Sequence, residues 1–249
     1  MNETSAYKWR EDIRDLLERK GSKLAADPVA VRPSAPKSDG EALDDLPLDD
    51  IKSAVKAFLS REWQLNGEDA LEYLSVVFPD GRHDEILFCI FLLTVFKRRL
   101  PAETWPEVEM WLEHIDHWVV CDQLAINIAG RLVLADKTRW RALQLWAQSP
   151  NEWKRRFVVT TAGIVRNKGG RKSRDVLKLI DSLMNDPSTH VQNVVAWAIR
   201  QVAGEDEHLA VNFLKKWKGR CHHEIFREAT LRLSPDAKIT VMKAKSHHA

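Results

Sequence analysis

Two side chains that could act on one bound molecule, Trp118 and Asp122, lie four residues apart in a helical pattern. Residues at this spacing project from one face of a helix, one turn apart. A carboxylate beside an aromatic face can stabilise positive charge that develops on a ligand. The same pair also fits a core tryptophan with an aspartate near a helix start, where the helix dipole favours a carboxylate. The spacing alone favours this second, structural interpretation.

Two further candidates follow in the chain. Arg156 stands three residues after Trp153, beside Lys154 and Arg155. A planar guanidinium can hold a phosphate with two hydrogen bonds, and an exposed basic turn explains the same residues equally well. Trp197 lies among apolar neighbours, a pattern that taken alone indicates a core residue.

The net charge of +2 conceals an uneven distribution. Residues 1–130 carry 15 Lys and Arg against 25 Asp and Glu, and residues 131–174 carry 12 against 2. A basic segment in an otherwise acidic chain indicates a polyanion-binding surface, with a solvated helical surface as the alternative. The cations expected to contact a polyanion are Lys154, Arg155, Arg156, Arg166, Lys168, Arg171, Lys172 and, from a later helix, Arg200.

Helices are predicted almost throughout the chain from Pro47 onward. Long helices should begin at intervals of 33–38 residues, near Asp84, Trp118, Asn151, Thr189 and His222. Shorter ones should fill the gaps at Trp105–His114, Lys137–Ala147, Ser173–Met184 and Glu207–Trp217. This interval predicts an all-α solenoid of HEAT-like helix pairs with a curved, concave surface. Equivalent positions of successive helices would then bring Trp118, Asp122, Arg156 and Trp197 to one surface.

Three regions are predicted along the chain. Residues 1–46 hold a short amphipathic helix over 7–20 and a Pro-rich linker over 21–46, residues 47–240 form the repeat domain, and residues 241–249 form a C-terminal tail. The string Ser149-Pro150-Asn151-Glu152 predicts a capping box with Ser149 as the N-cap residue.

Three motifs in order carry a family resemblance. Trp118-x-x-x-Asp122 is followed by Asn151-x-Trp153-x-x-Arg156 and then by Gln192-x-x-x-x-Trp197-x-x-Arg200. Together they resemble the AlkD-like DNA alkylation-repair glycosylases, with the similarity running from about Asp84 to Leu233. Each motif is weak alone, and their order and spacing on a helical repeat make the combination fairly specific.

The resemblance implies a monofunctional DNA N-glycosylase that starts base excision repair. Its substrates would be cationic N-alkylated purines, such as 3-methyladenine and 7-methylguanine in double-stranded DNA, removed without drawing the base into a deep pocket. Asp122 would be the catalytic carboxylate, Trp118 and Trp197 the aromatic walls, and Arg156 a phosphate contact. No cofactor is implied. The linker over residues 21–46 departs from the family, because it replaces part of the usual N-terminal helix pair.

Two other interpretations compete with this one. The first is a HEAT-like nucleic-acid-binding or scaffold protein without catalysis, which would not need the set of Trp118, Asp122, Arg156 and Trp197. The second is a metal site, since His114, His117 and Cys121 fall at i, i+3 and i+7. A structural zinc site normally needs four ligands, so no metal is predicted.

The cysteines and the chain start bear on the compartment. Cys89, Cys121 and Cys221 are unclustered and odd in number, which favours a reducing compartment over a disulfide framework. The N-terminus lacks the apolar core of a signal peptide, and the longest apolar run, Ile86 to Phe96, is too short to span a bilayer. A cytoplasmic protein without a membrane partner is therefore expected, and a monomer is expected as well.

Overall fold

Every regular element that the computed structural model describes is a helix. The described residues are 3–25, 46–62, 64–98, 100–167 and 172–244. They form two compact units, residues 1–128 and residues 129–249. The first unit holds α1 (Glu3–Ala25), α2 (Leu48–Leu59), α3 (Gly67–Val77), α4 (His83–Val95), α5 (Thr104–Trp111) and α6 (Trp118–Leu124). The second holds α7 (Gly130–Ala135), α8 (Trp140–Trp146), α9 (Glu152–Asn167), α10 (Ser173–Ile180), α11 (Thr189–Glu205), α12 (Glu207–Trp217), α13 (His223–Thr230) and α14 (Pro235–Lys243).

The predicted all-α class and the spacing of helix starts are confirmed. Helices α4, α6, α9, α11 and α13 begin within one residue of the predicted positions. The shorter helices lie between them, and two change character along their length. A 3-10 turn, Lys137–Arg139, precedes α8, and another, Asp181–Leu183, follows α10. A π-helical turn, Ala125–Ala129, separates α6 from α7 and was not predicted.

The first unit is built around α4, ten of whose side chains are buried. A helix that is apolar on all sides is stable only when neighbours cover it. Helices α2 and α3 pack on it, and Phe58 meets Phe88 edge to face with ring centroids 5.6 Å apart. This packing explains why the apolar run that begins at Ile86 is a core helix.

Helix α1 belongs to the core of the first unit. Ile13 and Leu17 are 0% and 1% exposed, and Trp9 packs edge to face against Tyr73 at 5.9 Å. The helix runs to Ala25, so the predicted linker start at residue 21 is wrong by five residues, and residues 26–45 lie outside the described part of the chain. Its Arg14 donates two hydrogen bonds to the buried carboxylate of Glu85.

The second unit is organised around α11, which packs against α9, α12 and α13. Its buried side includes Val191, Val195, Ile199 and Val202, each 0% exposed. Spacings of three and four residues put these side chains on one stripe of the helix. Helix α11 is the common neighbour of α9, α12 and α13. Its packing against α9 therefore fixes the positions of the candidate side chains on these two helices.

Two predicted boundaries in the second unit need correction. The N-cap of α9 is Asn151 rather than Ser149, because Asn151 Oδ1 accepts from the backbone N–H of Trp153 at 2.8 Å and of Lys154 at 3.4 Å. Ser149 supports that cap by accepting the N–H of Asn151 at 3.2 Å. Helix α14 runs to Lys243, past the predicted domain end at 240, and Val241 is fully buried.

The segment Trp118–Ala135 is long and apolar enough to cross a bilayer by length and composition, and 56% of it is buried inside the protein. Burial of that extent is the property of a helix that packs in a protein core. This segment carries the first candidate residues.

Candidate active site

Trp118 and Asp122 lie one turn apart on α6, and both are partly exposed. The other side of this helix is buried through Val119, Val120, Cys121 and Leu124. The helix is therefore anchored by apolar packing on one side and offers an indole and a carboxylate on the other. This arrangement differs from a fully buried core tryptophan and leaves both groups partly accessible to a ligand.

His117 fixes the start of α6. Its ring is 4% exposed, and its Nδ1 accepts the backbone N–H of Val119 at 3.3 Å, which satisfies one of the unpaired donors at the helix start. The ring stacks on His83 with centroids 4.8 Å apart and lies 5.8 Å from the Trp118 ring. His83 in turn has its Nε2 2.9 Å from Asp116 Oδ1. This row of rings supports the indole of Trp118 from the N-terminal side.

The π-helical turn follows Asp122 closely. Asn127 lies in it, and its Nδ2 donates to both the main-chain oxygen and the Oε1 of Gln123, each at 2.9 Å. Both residues are partly exposed, whereas Leu124 and Ile128, which follow them in the chain, are buried. The amide of Asn127 thus ties the π-helical turn to the residue that follows Asp122.

Arg156 is 7% exposed on α9 and reaches the start of α11. Its Nη1 donates to the main-chain oxygen of His190 at 2.8 Å. The His190 ring also packs on the Trp153 ring, with centroids 4.6 Å apart. The alternative of an exposed basic turn is therefore wrong for Arg156, because its guanidinium is held between two helices.

Trp197 is partly exposed on α11, and its indole lies against Gly163 of α9. A Cβ added to Gly163 would stand 2.6 Å from Cζ3 and 2.7 Å from Cη2 of that ring. Only a residue without a side chain admits the indole at this depth. Gly163 thus sets the position of Trp197. The signal that could have found it is a lone glycine within a helical pattern.

The Arg155 guanidinium is bonded within the second unit. Its side chain is 12% exposed, and Nε and Nη2 donate to Asp186 at 2.6 and 3.0 Å. Its Nη1 donates to the main-chain oxygens of Ser149 and Pro150 at 2.8 and 2.9 Å. These bonds, with one from Ser188 to Glu152, join the loop before α11 to the start of α9.

Arg166 and Arg200 also have partners within the second unit. Arg166 is 9% exposed and donates through Nη1 to Glu205, which also accepts from Ser173. These hydrogen bonds lower the pKa of the Glu205 carboxyl, with the bond from Ser173 as the largest cause. Arg200 donates through Nη1 to the main-chain oxygen of Glu228 at 3.0 Å, and partial burial lowers the pKa of its guanidinium.

The remaining predicted DNA contacts differ in accessibility. Lys172 is exposed and stands at the N-cap of α10, and Lys154 is partly exposed in the first turn of α9. Lys168 and Arg171 lie outside the described residues. The predicted basic segment is therefore divided. Its exposed cations, in the part of the chain that the structure describes, are Lys137, Arg141, Lys172 and Arg174, and Lys154 is among those that are partly exposed.

The alternative metal site gains no support from the geometry. His114 is exposed, Cys121 is fully buried, and His117 caps α6. Across the described ranges, no group of three or more His, Cys, Asp or Glu side chains could hold a metal ion.

The family model described as "DNA alkylation repair enzyme" matches residues 46–233, more than half of the chain. The protein belongs to this family. The family match starts before the predicted Asp84, so the α2–α3 helix pair lies within it. Trp118, Asp122, Arg156 and Trp197 all lie inside the matched range.

Solved structures show that the family fold is shared. A protein of Enterococcus faecalis, described as a predicted DNA alkylation repair enzyme, superposes with a TM-score of 0.65 at 15% identity, over 76% of this chain and 87% of that chain. AlkD2 of Streptococcus mutans gives 0.60 at 15% identity, over 89% and 99%. The smu.31 protein of Streptococcus mutans UA159 gives 0.57 at 17%, over 75% and 99%. No curated protein sequence matches the chain.

Proposed function

We propose that this DNA alkylation repair enzyme is a monofunctional DNA N-glycosylase acting on cationic N-alkylated purines in double-stranded DNA. The observation that carries the proposal is the placement of Trp118 and Asp122 on the partly exposed side of α6, within the family match. A scaffold protein has no need for a carboxylate and an indole held one turn apart on an accessible side.

The chemistry assigns a role to each group. Alkylation at N3 or N7 leaves the purine positively charged, so the C1′–N bond breaks with its electron pair going to the departing, now neutral base. Positive charge then develops on the deoxyribose, and the Asp122 carboxylate stabilises it. Water adds to C1′ and loses a proton, which leaves an abasic site. The negative face of the Trp118 indole attracts the same cationic species.

For the second unit we retain the roles implied by the family resemblance. Trp197, held at its depth by Gly163, is a second aromatic wall, and Arg156, held by His190, is a phosphate contact. Arg155 is left out of the proposed contacts, because its guanidinium is occupied by Asp186 and two carbonyls. Lys172, which is exposed, stays among them.

The position of the reactive groups determines how they reach the damaged base. Because the reactive groups lie on the side of a helix, the base need not be drawn into a deep pocket, which avoids part of the unstacking cost of about a few kcal/mol. A cytoplasmic location is proposed on the unclustered cysteines, of which Cys89 and Cys121 are buried, and a monomer is proposed beside it. No cofactor is needed for this hydrolysis.

The test is release of 7-methylguanine and 3-methyladenine from methylated duplex DNA by the wild-type protein, measured by chromatography of the freed bases. We expect release of both bases and formation of abasic sites. DNA binding without any base release would favour the catalytically inactive binding protein instead.

A further inference from the structure

The helix that carries Asp122 changes its hydrogen-bonding pattern immediately after that residue. Helix α6 ends at Leu124, and the π-helical turn covers Ala125–Ala129. Such a turn inserts one extra residue, so every side chain after it is rotated relative to a regular α-helix. Single π-helical turns within α-helices are frequent at functional sites.

Asn127 lies within the π-helical turn, five residues after Asp122. In an α-helix, five residues turn by about 140° beyond a full revolution, so Asn127 would lie on a different side from Asp122. Asp122 precedes the π-helical turn, and its main-chain oxygen accepts from the N–H of Ala125, the first residue of that turn. The Asn127 side chain is partly exposed. Its Nδ2 donates hydrogen bonds to the main-chain oxygen and to the Oε1 of Gln123, each at 2.9 Å.

Core packing does not explain the identity of Asn127. The buried side of this stretch includes Leu124, Ala125, Ile128 and Ala129, each 0% exposed, and would pack in the same way with alanine at 127. Asparagine is also a weaker helix former than alanine. A polar side chain that bonds back to the carbonyl four residues earlier bends the helix locally. Here that carbonyl belongs to the residue directly after Asp122.

We infer that Asn127 is a positioning residue, which acts through Gln123 and the π-helical turn to orient the Asp122 carboxylate. The inference rests on the proposed glycosylase function, because the orientation of Asp122 affects a reaction only if Asp122 is the catalytic carboxylate. Asn127 donates to Gln123, Gln123 fixes the backbone beside Asp122, and the carboxylate is held in one direction. No direct contact of Asn127 with the substrate is required.

A pair of variants that differ by one oxygen tests this role. Asn127→Ala removes the donor, whereas Asn127→Ser keeps a hydroxyl that can donate to the carbonyl four residues earlier. The single-turnover rate of 7-methylguanine release is measured at saturating enzyme, and the Kd for the same duplex is measured separately. We expect Asn127→Ala to slow release about tenfold, with Kd within about twofold of wild type, since small misplacements cost rate. Asn127→Ser should stay within about threefold of wild type.

Each other outcome identifies which claim fails. Equal slowing by both variants, wild-type rates in both, or a change confined to Kd would overturn the positioning role while leaving the glycosylase intact. A wild-type protein that binds the duplex and releases no base would overturn the proposed function itself, and the role of Asn127 with it. Thermal unfolding of both variants identifies any slowing that comes from loss of the fold.

Discussion

At the scale of single residues, the site depends on small neighbours as much as on the reactive groups. The indole of Trp197 lies where a Cβ on Gly163 would stand 2.6 Å from its ring. The sequence motif identified Trp197 as a candidate, whereas Gly163 belongs to no motif. A glycine in a helical pattern indicates that another group approaches the helix closely. The sequence does not identify that group, because Trp197 lies on another helix, 34 residues away in the chain.

Gly163→Ala should therefore displace the Trp197 indole. We expect the variant to unfold more easily, by about 1 kcal/mol, because the cost of overpacking exceeds the gain in helix propensity. Base release should fall as well, since Trp197 is a proposed wall. Gly204→Ala is the matched control, because nothing lies within 4 Å of its added Cβ, and it should gain about 0.5–1 kcal/mol. Equal stabilisation in both variants would show that the indole does not rest on Gly163.

At the scale of elements, the positions of the helices could be predicted better than the details of their ends. Apolar periodicity placed the starts of α4, α6, α9, α11 and α13, because burial of one side dictates the pattern. The N-cap of α9 was misplaced because Ser149 and Asn151 are both competent caps two residues apart, and only the backbone path selects Asn151. The π-helical turn leaves no periodic signal over five residues.

Asn151→Ala tests the cap of α9. The variant should lose about 1 kcal/mol of unfolding free energy, because the N–H groups of Trp153 and Lys154 lose their acceptor. Ser149→Ala should cost clearly less, since Ser149 accepts only the N–H of Asn151. Chemical denaturation of both variants measures the difference. A larger loss for Ser149→Ala would restore the capping box predicted from the sequence.

The attachment of α1 gives a second prediction at this scale. Glu85, 1% exposed, accepts from Arg14 and from the backbone N–H of Arg82, and the bond to Arg14 raises the pKa of that guanidinium. Glu85→Gln should cost about 2 kcal/mol, as expected for a buried charged hydrogen bond. Asp80→Asn removes a carboxylate that also pairs with α1, at Arg10, yet is 69% exposed, and should cost little. Equal costs in denaturant titrations would mean that α1 is not held by Glu85.

At the scale of the whole molecule, the charge distribution along the sequence predicts a polyanion-binding region. It does not show which cations of that region are exposed. Of the cations between 131 and 174, Arg155 and Arg166 are held by carboxylates within the second unit, whereas Lys172 is exposed. A charge count treats these residues alike, because it contains no information on which side chains have intramolecular partners. Burial and hydrogen bonding separate them.

Lys172→Ala and Arg155→Ala remove the same charge and should act differently. Lys172→Ala should reduce the steepness of the plot of log binding constant against log salt concentration by about one. The stability of the protein should stay unchanged. Arg155→Ala should leave the slope unchanged and cost about 3 kcal/mol of unfolding free energy, because Asp186 stays buried without its partner. Binding isotherms across a salt series and thermal unfolding give both quantities. A shallower slope for Arg155→Ala would make it a phosphate contact after all.

The proposed role of the Asp122 carboxylate is tested by a single-turnover assay on a duplex with one 7-methylguanine. Asp122→Asn preserves the shape of the side chain and removes its charge, whereas Asp49→Asn makes the same change at a carboxylate that is 94% exposed. We predict that Asp122→Asn slows base release by on the order of 100- to 1000-fold with little change in Kd for the duplex. Asp49→Asn should match the wild type. Release by Asp122→Asn at the wild-type rate would show that Asp122 is not the catalytic carboxylate.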